Sequence, residues 1–175
     1  MKTKRHLQFL TLLAFTAAMN VPTHAQSPQT KPLMKEADQR AETTARPDMT
    51  PVVAPGSVVK KDIPYVAGGG PQQKLDLYAP AGAKNAPVLV FVHGGEWTKG
   101  DKSEVSYKPK FFNENGVVFA SVNYRLSGVA KHPAQVNDVA SAIRWLREHV
   151  AEFGGDSNKL VLMGHSAGCH LVTLV

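Results

Sequence analysis

Three stretches of the chain are apolar almost throughout, with Ser121 the one polar residue: VLVFV (88–92), VVFASV (117–122) and LVLM (160–163). Continuous Val- and Phe-rich runs of this length are the pattern of strands covered on both faces, as in a parallel sheet. KLDLYA (74–79) differs, because Leu75, Leu77 and Ala79 alternate with Asp76 and Tyr78, which predicts a half-buried strand. With KKDIPYV before it and a Gly-rich turn between, it reads as one arm of an edge hairpin. A helical period appears in HPAQVNDVASAIRWLREHVAEFGG (132–155): Val136, Val139, Ala140, Ile143, Leu146 and Val150 share one face. Pro133 suits the first turn, and Gly154–Gly155 suits the end. KGDKSEVSYKPKFFNENG (99–116) holds a helix-sized segment between two apolar runs, and parallel neighbours require such a crossover. A further helix starts within SAGCHLVTLV. The order of hairpin, strand, helix, strand, helix, strand, helix predicts an α/β fold: a mostly parallel open sheet with helices on both faces.

Upstream of this pattern the composition changes. Residues 1–25 join a basic start (MKTKRH) to a short apolar run and end in THA, which predicts a signal peptide cleaved after Ala25 and an exported, periplasmic or extracellular product. The run is shorter than the roughly 20 residues of a membrane-spanning helix, so no span is expected after cleavage. Residues 26–57 carry five prolines and few large apolar side chains, the composition of a flexible linker. The folded part is expected over 58–175.

Charge and cysteine content narrow the functional classes. The chain of 175 residues carries 20 Lys plus Arg against 14 Asp plus Glu, but Lys2, Lys4 and Arg5 belong to the signal segment. The remaining 17 against 14 are scattered, which gives no basis for nucleic-acid binding. Cys169 is the sole cysteine, so no intramolecular disulfide is available. No CxxC or HExxH is present, and neither a metal nor a cofactor is expected.

Two motifs carry chemistry. GHSAG (164–168) fits GxSxG, in which a strand turns into a helix so sharply that the central serine is exposed as a nucleophile. The strand-like LVLM before it and the helix-like segment after it supply the context the motif requires. HGG (93–95) follows VLVFV, and backbone N–H groups of glycines at such a strand end suit an oxyanion hole. The candidate catalytic residue is therefore Ser166, and the candidate oxyanion donors are Gly94, Gly95 and Ala167. The bland reading of HGG is an ordinary tight turn. Trp97 either lines a substrate pocket or packs. His93 is expected to shape the loop, and His165 and His170 flank Ser166 but point away from where its base must stand. Asp101 and Asp138 are expected to hydrogen-bond locally, and Cys169 to pack as a small residue.

The region from Ile63 to Val175 resembles the α/β-hydrolase esterases, in the carboxylesterase and lipase group with HGGxW, through LDLYAP, VFVHGGEWTKGDKS, ASVNYRL, HPAQVNDVASAIRWLREH and FGGDSNKLVLMGHSAG. The resemblance implies a serine nucleophile followed in the chain by a catalytic Asp or Glu and then a His, both later than the elbow. Neither is expected in this sequence, so 58–175 is expected to be the N-terminal part of the domain and inactive alone. Glu96 stands where many relatives of the hormone-sensitive-lipase type have a third glycine, which favours the formamidase-like or feruloyl-esterase-like side over that type. Cys169 replaces a glycine usual after the elbow. The implied reaction is hydrolysis of a small-molecule ester through an acyl-enzyme; the alternatives are a non-catalytic remnant, or formamide or peptide hydrolysis on the same fold. The edge of KLVLMG, without a neighbouring strand, is expected to be exposed and prone to aggregation.

Overall fold

The computed structural model describes residues 47–175, so the signal-peptide and early-linker expectations (1–46) lie outside the described residues. Five strands form one sheet: β1 (Val58–Pro64), β2 (Lys74–Ala79), β3 (Ala86–Val92), β4 (Val118–Val122) and β5 (Gly155–Gly164), in the order β1-β2-β4-β3-β5. β1 and β2 pair as the antiparallel edge hairpin, β2 is antiparallel to β4, and β4, β3 and β5 run parallel. Helix α1 (Lys108–Glu114) connects β3 to β4, α2 (Ala134–His149) connects β4 to β5 through a 3-10 turn at Val150–Phe153, and α3 (Ala167–Val172) follows β5.

Alternation along each strand divides the core in two. Val88 and Val90 join Leu75, Leu77, Val118, Ala120, Ala142 and Leu146 on the α2 side. Leu89 and Phe91 join Tyr78, Phe119 and Phe112 on the α1 side. Each such side chain, fully buried, contributes about 1.5–3 kcal/mol, so both faces of β3 and β4 are strongly anchored. The connection leaving β3 goes to β4 on one side, while β5 lies on the other side of β3. A sheet of this kind opens a crevice at the carboxyl ends of those strands.

Four sequence expectations are refined. β2 is buried on both faces, not half-buried: Tyr78 belongs to the α1-side core and Asp76, 1 % exposed, is neutralised by Lys102. β5, expected to be covered on both faces, has only one packed. Leu160 and Leu162 face the α2-side core, whereas Val161 and Met163 are 56 % and 38 % exposed because no described element covers that face. Pro133 is the N-cap of α2, one residue before its first turn, and the buried face of α2 includes Gln135, Asp138 and Ala142 besides the predicted Val139 and Leu146. Finally, residues before Val58 already belong to the folded unit. Met49 O accepts from the N–H groups of Val105 (3.1 Å) and Ser106 (2.9 Å), Val52 exchanges backbone bonds with Ser106 and Lys110, and Val53 packs on the α1-side core.

Candidate functional site

Ser166 stands between β5 and α3 with φ 50° and ψ −117°, a backbone conformation that costs a non-glycine residue about 1–3 kcal/mol. The flanking glycines explain why the chain accepts it. A Cβ on Gly164 would lie 2.3 Å from Cys169 N, and one on Gly168 would lie 2.1 Å from Val92 O. Strand and helix thus touch backbone to backbone, and the turn joining them has no gentler path. Bonds from Gly168 N–H to His165 O (2.8 Å), Cys169 N–H to Ser166 O (2.9 Å) and His165 N–H to Val92 O (3.1 Å) fix it. Ser166 is exposed.

The loop after β3 faces this turn. A Cβ on Gly94 would be 2.7 Å from His165 O and 3.1 Å from Ser166 Cβ, so only glycine permits this approach. Gly95, Glu96 and Trp97 all have positive φ, and Thr98 and Lys99 N–H both donate to Gly95 O (3.0 and 3.1 Å), curling the loop back on itself. Among the described residues, the N–H groups of Gly94, Gly95 and Ala167 make no backbone hydrogen bond outside regular elements. The three candidate donors lie on two segments that meet at Ser166.

The histidines are placed as follows. His93 is buried, its ring stacked on Tyr124 at 4.5 Å, with Nδ1–H donating to Gly94 O (2.7 Å) and Tyr124 OH donating to His93 O (3.2 Å). Burial holds its pKa below the usual histidine range, although the bond to Gly94 opposes this. It is a loop-shaping residue, as expected. His165 lines a recess of about 240 Å³ beside Gly94, and His170 presents an edge contact to Trp97 at 5.5 Å. His149, the last residue of α2, contacts Glu152 of the 3-10 turn that follows. Among the described residues, no imidazole is hydrogen-bonded to the Ser166 hydroxyl.

Both weighed aspartates are committed elsewhere. Asp138 accepts from Arg125 N–H (2.9 Å), Arg125 Nε (2.8 Å), Arg125 Nη2 (2.8 Å) and Gln73 Nε2 (2.9 Å). Asp101 accepts from Ser103 N–H and Asn123 Nδ2, both at 2.8 Å. Burial alone would push the Asp101 carboxyl up, but these bonds outweigh it and hold it below the usual range. Cys169 is exposed and does not pack in the core, which corrects that expectation: the first turn of α3 puts it on the solvent side.

Trp97 is part of a pocket of about 310 Å³ whose wall includes Glu96, His132, Gln135, His170 and Leu171. The pocket adjoins both motifs in the chain, since Glu96 follows Gly95 directly and His170–Leu171 lie one turn beyond Ser166. Gln135 was not singled out by sequence. It is 3 % exposed, and Nε2 donates to Ala130 O (2.6 Å), leaving Oε1 as an acceptor. Its only signal was a polar residue on the apolar side of a helix. Among the described residues, no three His, Cys, Asp or Glu side chains are grouped to hold a metal, and no helix is long and apolar enough to cross a membrane.

Comparison with known proteins gives a consistent result. The BD-FAE family model matches residues 75–175. Esterase LipQ of Mycobacterium tuberculosis is 39 % identical over 117 residues, covering 65 % of this chain and 28 % of that protein. Among solved structures, a carbohydrate esterase from gut microbiota in truncated form has a TM-score of 0.64 at 27 % identity, covering 70 % of this chain and 44 % of the other. Esterase B from a Lactobacillus has a TM-score of 0.61 at 28 % identity, covering 81 % and 44 %. The chain spans 24 % to 28 % of the length of the curated esterases it matches first.

Proposed function

Because the chain belongs to the BD-FAE family of α/β-hydrolase esterases, we propose that it carries the nucleophile and oxyanion half of a serine carboxylic ester hydrolase. The observation that carries the reading is Ser166 held at φ 50° against the close-packed backbone of Gly94. In the reaction, Ser166 Oγ attacks the ester carbonyl carbon while a base takes its proton. The carbonyl oxygen becomes an oxyanion that accepts from Gly94, Gly95 and Ala167 N–H. The C–O bond to the alcohol then breaks, the alcohol leaves protonated, and water later releases the acid from Ser166. One such donor contributes about 10²–10³ in rate in well-studied hydrolases, so a prepositioned set supplies a large part of the acceleration. The triad acid and His are proposed to lie outside the described residues, which leaves 47–175 weakly active by itself.

The pocket lined by Trp97 and His170, residues close in sequence to the two motifs, supports a small ester whose alcohol or acyl part carries hydroxyl groups. Trp97 offers an apolar ring, while Glu96, His132 and Gln135 bring polar side chains to the pocket wall. The similarity to a carbohydrate esterase agrees with this. We further propose export of the protein, on the strength of residues 1–25. The test is hydrolysis of p-nitrophenyl acetate by the chain with and without millimolar imidazole as a surrogate base. Imidazole-dependent turnover above the rate of imidazole without protein, lost in Ser166→Ala, supports the assignment, and an equal excess rate in Ser166→Ala overturns it.

A further inference from the structure

The reaction above makes no use of Lys102, yet Lys102 is a 7 % exposed ammonium. Its Nζ lies 2.8 Å from Asp76 on β2 and 3.1 Å from Asp62 on β1. Asp62 sits where the β1 register shifts between Lys60 and Ile63, with φ 56°, and its N–H donates to Asp76 Oδ1 at 2.9 Å. Bulges of this kind re-aim a side chain, and here the bulge brings a second carboxylate to the same cation. A buried ion pair of this sort adds little net stability, because desolvating both charges offsets their attraction. Its effect must be sought in the geometry it imposes.

That geometry leads directly to the glycines beside Ser166. Lys102 N–H donates to Asn123 Oδ1 (2.6 Å), and Asn123 Nδ2 donates to Asp101 Oδ2 (2.8 Å), so residues 101–102 are tied to the end of β4 as well as to the hairpin. Two residues earlier, Gly100 lies against the start of the loop. A Cβ there would be 2.4 Å from His93 Nδ1 and 2.6 Å from Gly94 O. With no slack between Gly100 and His93–Gly94, a displacement at Lys102 must be passed to the Gly94 and Gly95 amides.

We propose that Lys102 is a positioning residue: clamped between Asp76 and Asp62, it locks the 93–102 loop onto the edge hairpin and fixes the direction of the Gly94 and Gly95 N–H groups. The catalytic consequence rests on the oxyanion reading, but the locking does not. The hairpin thereby becomes part of the site's support, although it lies two strands away from β3.

The test is backbone ¹⁵N relaxation on the chain without substrate. The double variant Lys102→Met/Asp76→Leu removes both buried charges together and leaves neither unpaired, a replacement that buried ion pairs commonly tolerate. Wild-type order parameters at Gly94 and Gly95 are expected near about 0.85, falling below about 0.6 in the double variant, with Val90 and Ala120 unchanged. Lys102→Arg, which keeps the charge, is expected to restore rigidity at both glycines. Equal order at Gly94 and Gly95 in a folded double variant overturns the proposal. If that variant does not fold, Asp62→Asn, at an exposed side chain, reads the same quantity: lowered values at the two glycines support the clamp and unchanged values overturn it. Because no turnover is measured, an inert Ser166 would leave this result standing.

Discussion

Gly168→Ala sets two effects of opposite sign against each other. In an exposed helix interior, replacing glycine by alanine stabilises by about 0.8–1.0 kcal/mol. At position 168 the new Cβ would lie 2.1 Å from Val92 O and 2.5 Å from His93 O, both backbone atoms with strand β3 behind them. An ordinary contact requires a separation more than an ångström larger, so α3 must lift away from β3. Overpacking of this sort costs about 1–3 kcal/mol, and here it also pulls on bonds that fix the turn at Ser166. Both atoms are backbone and cannot give way, so the cost falls in the upper part of that range, about 2–3 kcal/mol, and the clash wins with a net loss of about 1–2 kcal/mol after the propensity gain of about 1 kcal/mol. With a mid-range urea slope of about 2 kcal/mol/M, the unfolding midpoint should fall by about 0.5–1 M. Urea titration followed by far-UV circular dichroism reads this directly. A variant as stable as the wild type, or more so, would refute the claim that strand and helix meet backbone to backbone.

Other outcomes follow from the same geometry. Asp138→Asn cannot accept all four bonds from Arg125 and Gln73, and should lose about 1.5–3 kcal/mol in urea unfolding. Tyr124→Phe removes the donor to His93 O and should cost about 0.5–1.5 kcal/mol, read by thermal melting. His93 has a folded pKa lowered by burial, so its contribution is fully present above the unfolded value of about 6.5 and is lost as pH falls below it. The slope of stability against pH below about 6.5 should accordingly flatten in His93→Asn. Gln135→Leu should weaken binding of a hydroxylated ester more than of its deoxy counterpart, measured by perturbation of the Trp97 indole resonance.

Much of this arrangement was legible in the chain because it is local. The apolar runs at 88–92 and 117–122 identified the central parallel strands, the 3.6-residue period identified α2, and the glycines of HGG and GHSAG marked the two backbones that must approach. What escaped was set by contacts distant in sequence. Tyr78 and Asp76 alternate with leucines as an exposed face would, yet α1 covers one and Lys102 neutralises the other. Gln135 lies on the inner side of α2 because the loop carbonyl of Ala130 takes its amide. Residues 49–53 look like linker by composition, but their backbone is engaged by the segment leading into α1. The exposed Val161 and Met163 share the apolar signature of a covered strand, since periodicity records what a strand can bury and not what lies beside it.

The most direct test of the central claim is to locate the acyl group. After brief exposure of the chain to p-nitrophenyl acetate with imidazole, acid quenching and peptide mass spectrometry, the account predicts an acetyl adduct on Ser166. The adduct should be absent from Ser166→Ala and diminished when Gly94→Ala disturbs the facing loop. An adduct found instead on the exposed Cys169 or on a lysine, with Ser166 unmodified, would contradict the assignment of Ser166 as the nucleophile.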